Sequence, residues 1–336
     1  MQLASWQQGG TYVVFVVCVS VELLINEKLK STFRVQNRRF WTFMINTFIN
    51  KNKLSAGFIK LATEYFIPLA EEIKAHHRSA KTTYYVGING SQGSGKSTLS
   101  EFLKEYLQEI YALKVVVMSL DDFYFGHIER QIIAADVHPL FVTRGVPGTH
   151  NMCHAKTVLH DLKHQRCTTI PRFNKATDNP HPTSDWTTVP FAVDVVIFEG
   201  WCWGVEPQAS EELACPVNTF EATEDKKAAW RNHANLQLAL HYQPLYSLMD
   251  KWVMLKAPSF EDVYAWRLEQ EQKLYTATAS KDKSGIMDKH QIQRFIQHYQ
   301  RLTEHALKTL PQKCDHIFEL NATRAIVEHK IKERHA

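Results

Sequence analysis

The residues best suited to chemistry form a glycine-rich stretch at positions 87–98, which reads GINGSQGSGKST. Its octet from Gly90 fits the pattern G-x-x-x-x-G-K-[ST] without a mismatch. Glycines let backbone N–H groups turn inward around phosphate oxygens, at the positive end of a following helix. The lysine neutralises β- and γ-phosphate charge, and the serine can ligate magnesium. The stretch predicts a nucleotide-binding site made of Gly90, Ser91, Gln92, Gly93, Ser94, Gly95, Lys96, Ser97 and Thr98.

Two apolar runs later in the chain end in carboxylates. KVVVMSL leads into Asp121 and Asp122, and VVIF leads into Glu199. Because ligands of open α/β sheets bind at the carboxyl ends of the strands, these acids would face the nucleotide. Glu199 would then help Ser97 to hold a metal ion, and one aspartate could accept the proton of an attacking hydroxyl. The structural alternatives are a strand that ends in a surface glutamate and an aspartate pair that forms a turn.

These residues need strands and helices in alternation to position them. Short apolar runs, typical of strands covered on both faces, predict five strands: residues 84–89, 114–120, 193–198, 252–256 and 315–320. Helical periodicity predicts seven helices: residues 54–76, 96–110, 154–164, 222–242, 259–273, 287–310 and 323–334. The alternation indicates an α/β fold, with a parallel five-stranded sheet and helices on both faces.

The composition limits the possible partners. The chain has 336 residues and a formal net charge of +4. Residues 1–53 carry seven lysines and arginines against two glutamates, so the rest of the chain is near neutral and predicts no nucleic-acid partner. The six cysteines are scattered without a C-x-x-C pair, which favours reduced thiols and a cytoplasmic location. Nothing in the pattern fixes the oligomeric state.

The leading segment contains a fourteen-residue apolar run, Tyr12–Ile25, interrupted by Glu22. This run is shorter than the ~20 residues of a spanning helix, and no basic residue precedes it as in a secretory signal. We therefore expect no stable membrane span, and interpret residues 1–43 as an extension of unknown role before a domain over residues 44–336. Asn321-Ala322-Thr323 matches a glycosylation acceptor but lacks secretory context.

Further motifs reveal a family resemblance. After the phosphate loop come D-x-F-Y from Asp121, R-G-x-P-G-T-H from Arg144, P-R-F-x-K from Pro171 and F-E-G-W from Phe198. This set resembles the D-glycerate 3-kinase-like branch of the P-loop kinases, which is related to uridine, pantothenate and phosphoribulose kinases. The resemblance runs from about residue 45 to the C-terminus. It implies a P-loop kinase fold with a lid, the cofactors ATP and Mg²⁺, and a small, anionic acceptor, with glycerate favoured.

The resemblance also implies residue roles. Asp121 would be the general base and, with Lys96, a catalytic residue. Arg267 and Lys273 would belong to a lid at about residues 259–290, with Arg267 closing on the nucleotide. An insert at about residues 125–190 would supply most acceptor contacts. The implied acceptor-binding residues are Asp122, Tyr124, Arg144, His150, Asn151, Arg172 and Lys175.

The chain departs from the family pattern at two positions. Asn151 and Asn174 stand where the family pattern usually has aspartate. An amide can donate and accept hydrogen bonds, but it cannot act as a base or as an anionic magnesium ligand. Three functions therefore stay open: a glycerate-type kinase, a nucleoside- or pantothenate-type kinase, and a nucleotide-binding switch or ATPase that transfers no phosphate to a metabolite.

Overall fold

A computed structural model gives the structure of the protein over residues 43–80, 82–189, 192–277 and 289–332. The chain divides into two compact units, Met1–Ala62 and Thr63–Ala336. In the first unit, residues 43–52 form helix α1 and Phe58–Leu61 form α2, and the Phe48 and Phe58 rings stack 5.4 Å apart. Almost all of the extension expected at residues 1–43 lies outside the described residues, so its boundary stays a prediction.

A mostly parallel sheet of six strands organises the second unit. In chain order the strands are β1 (Tyr84–Gly90), β2 (Val115–Ser119), β3 (Thr168–Ile170), β4 (Phe173–Asn174), β5 (Asn179–Pro180), β6 (Thr187–Val189), β7 (Val195–Gly200), β8 (Lys251–Lys256), β9 (His316–Leu320) and β10 (Ile326–Ile331). The central sheet has the order β10-β9-β8-β1-β7-β2. Its five predicted strands are present and parallel, while β3 pairs with β6 and β4 with β5 in two separate antiparallel two-stranded sheets.

The sixth strand of the central sheet corrects the sequence prediction. Residues 323–334 were expected to form a helix, but Ile326–Ile331 pairs antiparallel with β9. A turn closed by the Asn321 side chain, whose Oδ1 accepts from the backbone of Thr323 and Ala325, reverses the chain directly after β9. Such a short connection leaves room only for an antiparallel neighbour. The sheet therefore has six strands rather than five.

Helices cover both faces of the sheet. The α-helices described in the second unit are α3 (Ile67–Ala80), α4 (Lys96–Tyr111), α5 (His127–Asp136), α6 (Met152–Lys163), α7 (Ser210–Ala214), α8 (Thr219–Glu224), α9 (Ala229–Gln237), α10 (Gln243–Tyr246), α11 (Phe260–Ala277) and α12 (Lys289–Thr309). In α4 the buried Leu99, Phe102 and Leu103 recur at helical spacing and form the face that packs on the core. β1 and β7 are buried along their whole lengths, as expected for central strands.

The helix predicted over residues 222–242 is interrupted. α8 ends at Glu224 and α9 begins at Ala229, because the Asp225 carboxylate accepts hydrogen bonds from the backbone N–H groups of Trp230 and Arg231. Asp225 thus caps the start of a new helix. The interruption shows that a continuous periodic pattern does not guarantee a continuous helix.

Candidate active site

The phosphate loop connects β1 to α4 at the carboxyl edge of the sheet. β1 ends at Gly90 and α4 begins at Lys96, which is the strand–loop–helix context that the motif requires. Gly93 and Gly95 have φ angles of +80° and +95°, in the region that favours glycine. A Cβ on Gly93 would also lie 3.0 Å from Cβ of Trp266 in α11. Backbone conformation and the close approach of α11 both call for glycine at position 93.

Three polar side chains of this loop have buried oxygen atoms. Among the described residues, the hydroxyls of Ser91 and Ser94 and Oε1 of Gln92 are buried without a hydrogen-bond partner. A buried polar group without a partner costs about 1–3 kcal/mol. Side-chain hydrogen bonding in this loop is therefore incomplete within the described part of the chain.

Glu199 brings a carboxylate to the same place from the end of β7. Its Oε1 accepts a hydrogen bond of 3.0 Å from the Ser97 hydroxyl. Its Oε2 is buried without a hydrogen-bond partner in the described part of the chain, and lies 3.8 Å from Nζ of Lys96. Burial raises the pKa of Glu199, and the Lys96 ammonium opposes this. The Ser97 hydroxyl and the Glu199 carboxylate both offer oxygen atoms, and oxygen ligands suit a hard cation such as Mg²⁺.

Asp121 follows β2 in a 3₁₀ turn, Leu120–Phe123. Its backbone N–H donates to Oγ of Ser119, and its Oδ2 accepts a 2.6 Å hydrogen bond from Nζ of Lys175. Burial raises the pKa of Asp121, but attraction to Lys175 and Lys96 outweighs this and holds the pKa at about 2. Asp121 is therefore ionised across the physiological range.

Asp122 points to a different partner. Its Oδ2 accepts a 2.7 Å hydrogen bond from Nη1 of Arg172, and its Oδ1 accepts from the Phe173 backbone. Arg172 also donates through Nε to the Thr187 hydroxyl. Burial raises the pKa of Asp122, and Arg172 opposes this. The pair joins the turn after β2 to the hairpin β4–β5.

Arg144 is paired as well. Its Nη1 donates to Oδ1 of Asp178, and its guanidinium lies 5.5 Å from the Phe173 ring centroid. Oδ2 and the backbone carbonyl of Asp178 accept from the buried Arg130, which also donates to the carbonyls of Phe125 and Val142. One carboxylate therefore bridges a structural arginine and a predicted acceptor-binding arginine.

His150 and Tyr124 lie inside the protein. The His150 ring, 3% exposed, stacks on Tyr124 with centroids 4.2 Å apart, and its Nδ1 lies 2.6 Å from the Tyr242 hydroxyl. Burial lowers the pKa of His150 to about 3, although Asp121 opposes this. The ring is therefore neutral near pH 7.

The two departures from the family pattern have local roles. Asn151 caps α6, because its Oδ1 accepts from the backbone N–H of His154 at 3.0 Å. Asn174 closes a turn in which its Oδ1 accepts from the backbone N–H groups of Ala176 and Thr177. An amide oxygen and a carboxylate oxygen serve equally as such acceptors.

A cleft of about 510 Å³ joins part of this set. It is lined by Gln92, Gly93, Gly95, Lys96, Ser97, Thr98, Ser119, Asp121, Lys175, Glu199, Arg267, Gln270 and Arg324. The predicted acceptor residues Asp122, Tyr124, Arg144, His150, Asn151 and Arg172 lie outside this lining, as do Gly90, Ser91 and Ser94 of the loop. The cleft therefore brings together part of the phosphate loop, two carboxylates and four basic side chains.

The lid prediction is partly covered by the structure. Arg267 lies on α11 and lines the cleft, with its guanidinium 5.4 Å from the Phe295 ring centroid. Residues 278–288 of the expected lid, and the Lys273 side chain, lie outside what the structure describes. Lid closure thus stays a prediction.

Sequence reasoning missed Arg324 as a site residue. It lines the cleft from the turn between β9 and β10, where a helix was expected. The only local signal was Asn321-Ala322-Thr323, whose asparagine closes the turn instead of matching a modification site. A single basic residue without a motif gave no further signal.

Comparisons with known proteins identify a family and several relatives. A family model described as Phosphoribulokinase / Uridine kinase family matches residues 85–213. A protein of Schizosaccharomyces pombe named Uncharacterized kinase mug58 is 33% identical over 245 residues, which cover 68% of this chain and 83% of that protein.

Two further relatives carry the name D-glycerate 3-kinase. The chloroplastic one from Arabidopsis thaliana is 26% identical over 271 residues, 75% of this chain and 56% of the relative, so the chain spans about half of that protein. The solved structure from Cryptococcus neoformans var. grubii has a TM-score of 0.67 at 23% identity, covering 83% of this chain and 100% of the other. At that identity the structural likeness shows the fold. No helix within the described ranges is long and apolar enough to cross a membrane.

Proposed function

Because the chain belongs to the phosphoribulokinase and uridine kinase family of P-loop kinases, we propose that it transfers the γ-phosphate of ATP to a hydroxyl of a small anionic metabolite. D-glycerate is the favoured acceptor. The observation that carries the proposal is that Asp121 lies in the same cleft as Lys96 and the Ser97–Glu199 pair. A carboxylate beside a phosphate cradle is what a phosphotransferase needs to orient an attacking hydroxyl.

The nucleotide side would work as follows. Backbone N–H groups of the loop and the Lys96 ammonium would surround the phosphate oxygens. Ser97 and Glu199 would hold Mg²⁺, which when bound draws charge from the β- and γ-phosphate oxygens. Arg267, from α11, lines the same cleft and would add positive charge near the transferring group. Screening that charge accounts for most of the catalysis expected of such a site.

The acceptor side would use Asp121. The acceptor oxygen forms a bond to the γ-phosphorus while the bond to the bridging oxygen of ADP breaks, and the hydroxyl proton passes to Asp121. A carboxylate with a pKa of about 2 is a weak base, so its main task would be to orient the hydroxyl. Proton transfer can come late, because the transition state of phosphoryl transfer is loose.

Basic side chains on the acceptor side favour a negatively charged acceptor. Lys175 contacts Asp121 directly, Arg172 pairs with the adjacent Asp122, and Arg144 pairs with Asp178. An arginine fork holds a carboxylate better than a lysine does. Relatives named D-glycerate 3-kinase in a plant and a fungus support glycerate as the favoured acid.

ADP release in the presence of single acceptors tests this function. The panel contains D-glycerate, other sugar acids, nucleosides and pantothenate, each with MgATP. We expect release to rise with D-glycerate or a closely related sugar acid. A rise with a nucleoside instead would contradict the anionic acceptor, and a rise with pantothenate, itself a carboxylate, would contradict a sugar acid. A rate of ADP release that is the same with and without every acceptor would favour an ATPase or a nucleotide-binding switch. The cytoplasmic location of the protein also stays a prediction, because the Arabidopsis relative is named chloroplastic.

A further inference from the structure

Arg324 is held in place by several independent contacts. Its backbone has a φ of +67°, an uncommon conformation for a residue with a side chain. Its Nη2 donates a 2.5 Å hydrogen bond to Oε2 of Glu269, and its guanidinium lies 5.4 Å from the ring centroid of Trp266. The indole N–H of Trp266 donates in turn to the carbonyl of Ala322, in the same turn as Arg324. These contacts hold the Arg324 side chain at the wall of the cleft.

The order of the strands tells which end of the nucleotide Arg324 faces. The phosphate loop follows β1, Asp121 follows β2, and Arg324 follows β9. β2 lies two strands from β1 on one side, and β9 lies two strands from β1 on the other. Neighbouring strands are ~4.8 Å apart, so Asp121 and Arg324 flank the loop at about 10 Å each.

The contacts within the cleft divide in the same way. Lys96, Ser97 and Glu199 form one connected group, and Asp121 with Lys175 lies on the β2 side of it. Arg324 contacts α11 through Trp266 and Glu269. If phosphate is transferred toward Asp121, the nucleoside must extend from the loop toward β9.

We propose that Arg324, whose side chain is 27% exposed, binds the nucleoside end of the nucleotide and takes an aromatic base against the guanidinium face opposite Trp266. Arginine suits this position because its planar group stacks on aromatic rings and keeps donors free for ribose or base oxygens and nitrogens. This inference rests on the proposed function, since it assumes that the phosphate loop holds a nucleoside triphosphate. It assigns a residue to nucleotide affinity and base selection.

Binding of two probes separates the nucleoside end from the phosphates. Calorimetry measures Kd for MgATP and for magnesium tripolyphosphate, which has no nucleoside. Arg324→Asn is the main variant, because asparagine tolerates the left-handed backbone and should preserve the turn. We expect about a tenfold weaker Kd for MgATP and less than a twofold change for tripolyphosphate. Arg324→Lys keeps the positive charge but removes the planar guanidinium group, so it should also weaken the binding of MgATP and leave that of tripolyphosphate unchanged.

Arg294→Ala provides a matched control. Arg294 also lies on an aromatic ring, 5.3 Å from the Phe220 centroid, and also pairs with a glutamate, Glu224. It does not line the cleft, so both affinities should equal those of the wild type. Equal weakening of both probes by Arg324→Asn, or of neither, would overturn the inference. A wild type that binds neither probe would overturn the proposed function, and this inference with it.

Discussion

The nucleotide side and the acceptor side of the proposed site differ in whether their polar groups already have partners within the protein. On the nucleotide side, Glu199 lines the cleft, and its Oε2 is buried without a hydrogen-bond partner among the described residues. On the acceptor side, every predicted cation already holds a carboxylate: Lys175 with Asp121, Arg172 with Asp122 and Arg144 with Asp178.

This difference predicts two kinds of binding. A metal ion bound with the nucleotide would give this carboxylate oxygen a partner. An anionic acceptor must instead exchange with carboxylates that the protein supplies itself. Because these ion pairs are partly exposed, each exchange costs little, roughly 1 kcal/mol or less. The acceptor side would thus select for charge and shape at modest affinity, and its residues should be separable from the nucleotide side by mutation.

Asp121→Asn should give the largest separation. Asparagine keeps the size of the side chain but cannot take the hydroxyl proton or attract the acceptor as an anion. Acceptor-dependent turnover should fall about 10²- to 10⁴-fold, while Kd for MgATP changes less than about threefold. Steady-state kinetics and calorimetry on the same preparation measure both. Parallel losses in both quantities would remove Asp121 from the acceptor side.

Arg144→Ala should weaken acceptor binding without weakening ATP binding, and its effect should be smaller than that of Asp121→Asn. It removes a guanidinium that the acceptor's carboxylate would use in place of Asp178. A hydrogen bond to a charged group is worth about 1.5–3 kcal/mol, so KM for the acceptor should rise about 10- to 100-fold. KM for ATP and the thermal midpoint should stay near their wild-type values. An unchanged acceptor KM would exclude Arg144 from the acceptor site.

Lys175→Met should change the pH dependence. Asp121 must be ionised to act, so activity falls as the pH drops through its folded pKa. In the wild type that pKa is about 2, which predicts no loss from Asp121 between about pH 8 and 5. Without Lys175, burial dominates and the pKa rises, so the variant should lose activity progressively at acid pH. The ratio of variant to wild-type kcat/KM at each pH cancels the titration of ATP. A pH-independent ratio would contradict this electrostatic role.

Asn151→Asp should have the smallest effect. It restores the residue of the family pattern at a position where the side chain caps α6. Either residue caps a helix well, so the free energy of unfolding should change by less than about 0.5 kcal/mol and the acceptor KM by less than twofold. Thermal denaturation and kinetics check both. A large gain in activity would show that position 151 contacts the acceptor.

Local patterns predicted much of the fold. The five parallel strands follow from apolar runs, and the phosphate loop from a motif whose flanking elements repeat the expected order. β10 could not be predicted from periodicity, because Asn321 reverses the chain through side-chain hydrogen bonds. The break between α8 and α9 likewise depends on one carboxylate, Asp225.

The site was harder to predict where it depends on distant pairing. Asp178 and Arg144 are 34 positions apart, and no motif includes the aspartate. Their pairing arises from how the hairpin β4–β5 packs, which no local pattern encodes. Arg324 was missed for the same reason. Motifs identify residues that bind a ligand directly, whereas the residues that orient them emerge only from tertiary structure.

The fate of the γ-phosphate is the most direct measure of whether the protein phosphorylates D-glycerate. ATP labelled at the γ-position is turned over with and without D-glycerate, and the label is divided between phosphorylated acceptor and inorganic phosphate. We predict that D-glycerate accelerates turnover and that the label appears mainly on the acceptor, an outcome that Asp121→Asn abolishes. Label that appears only in inorganic phosphate, at the same rate with and without D-glycerate and the other acceptors, would contradict the account.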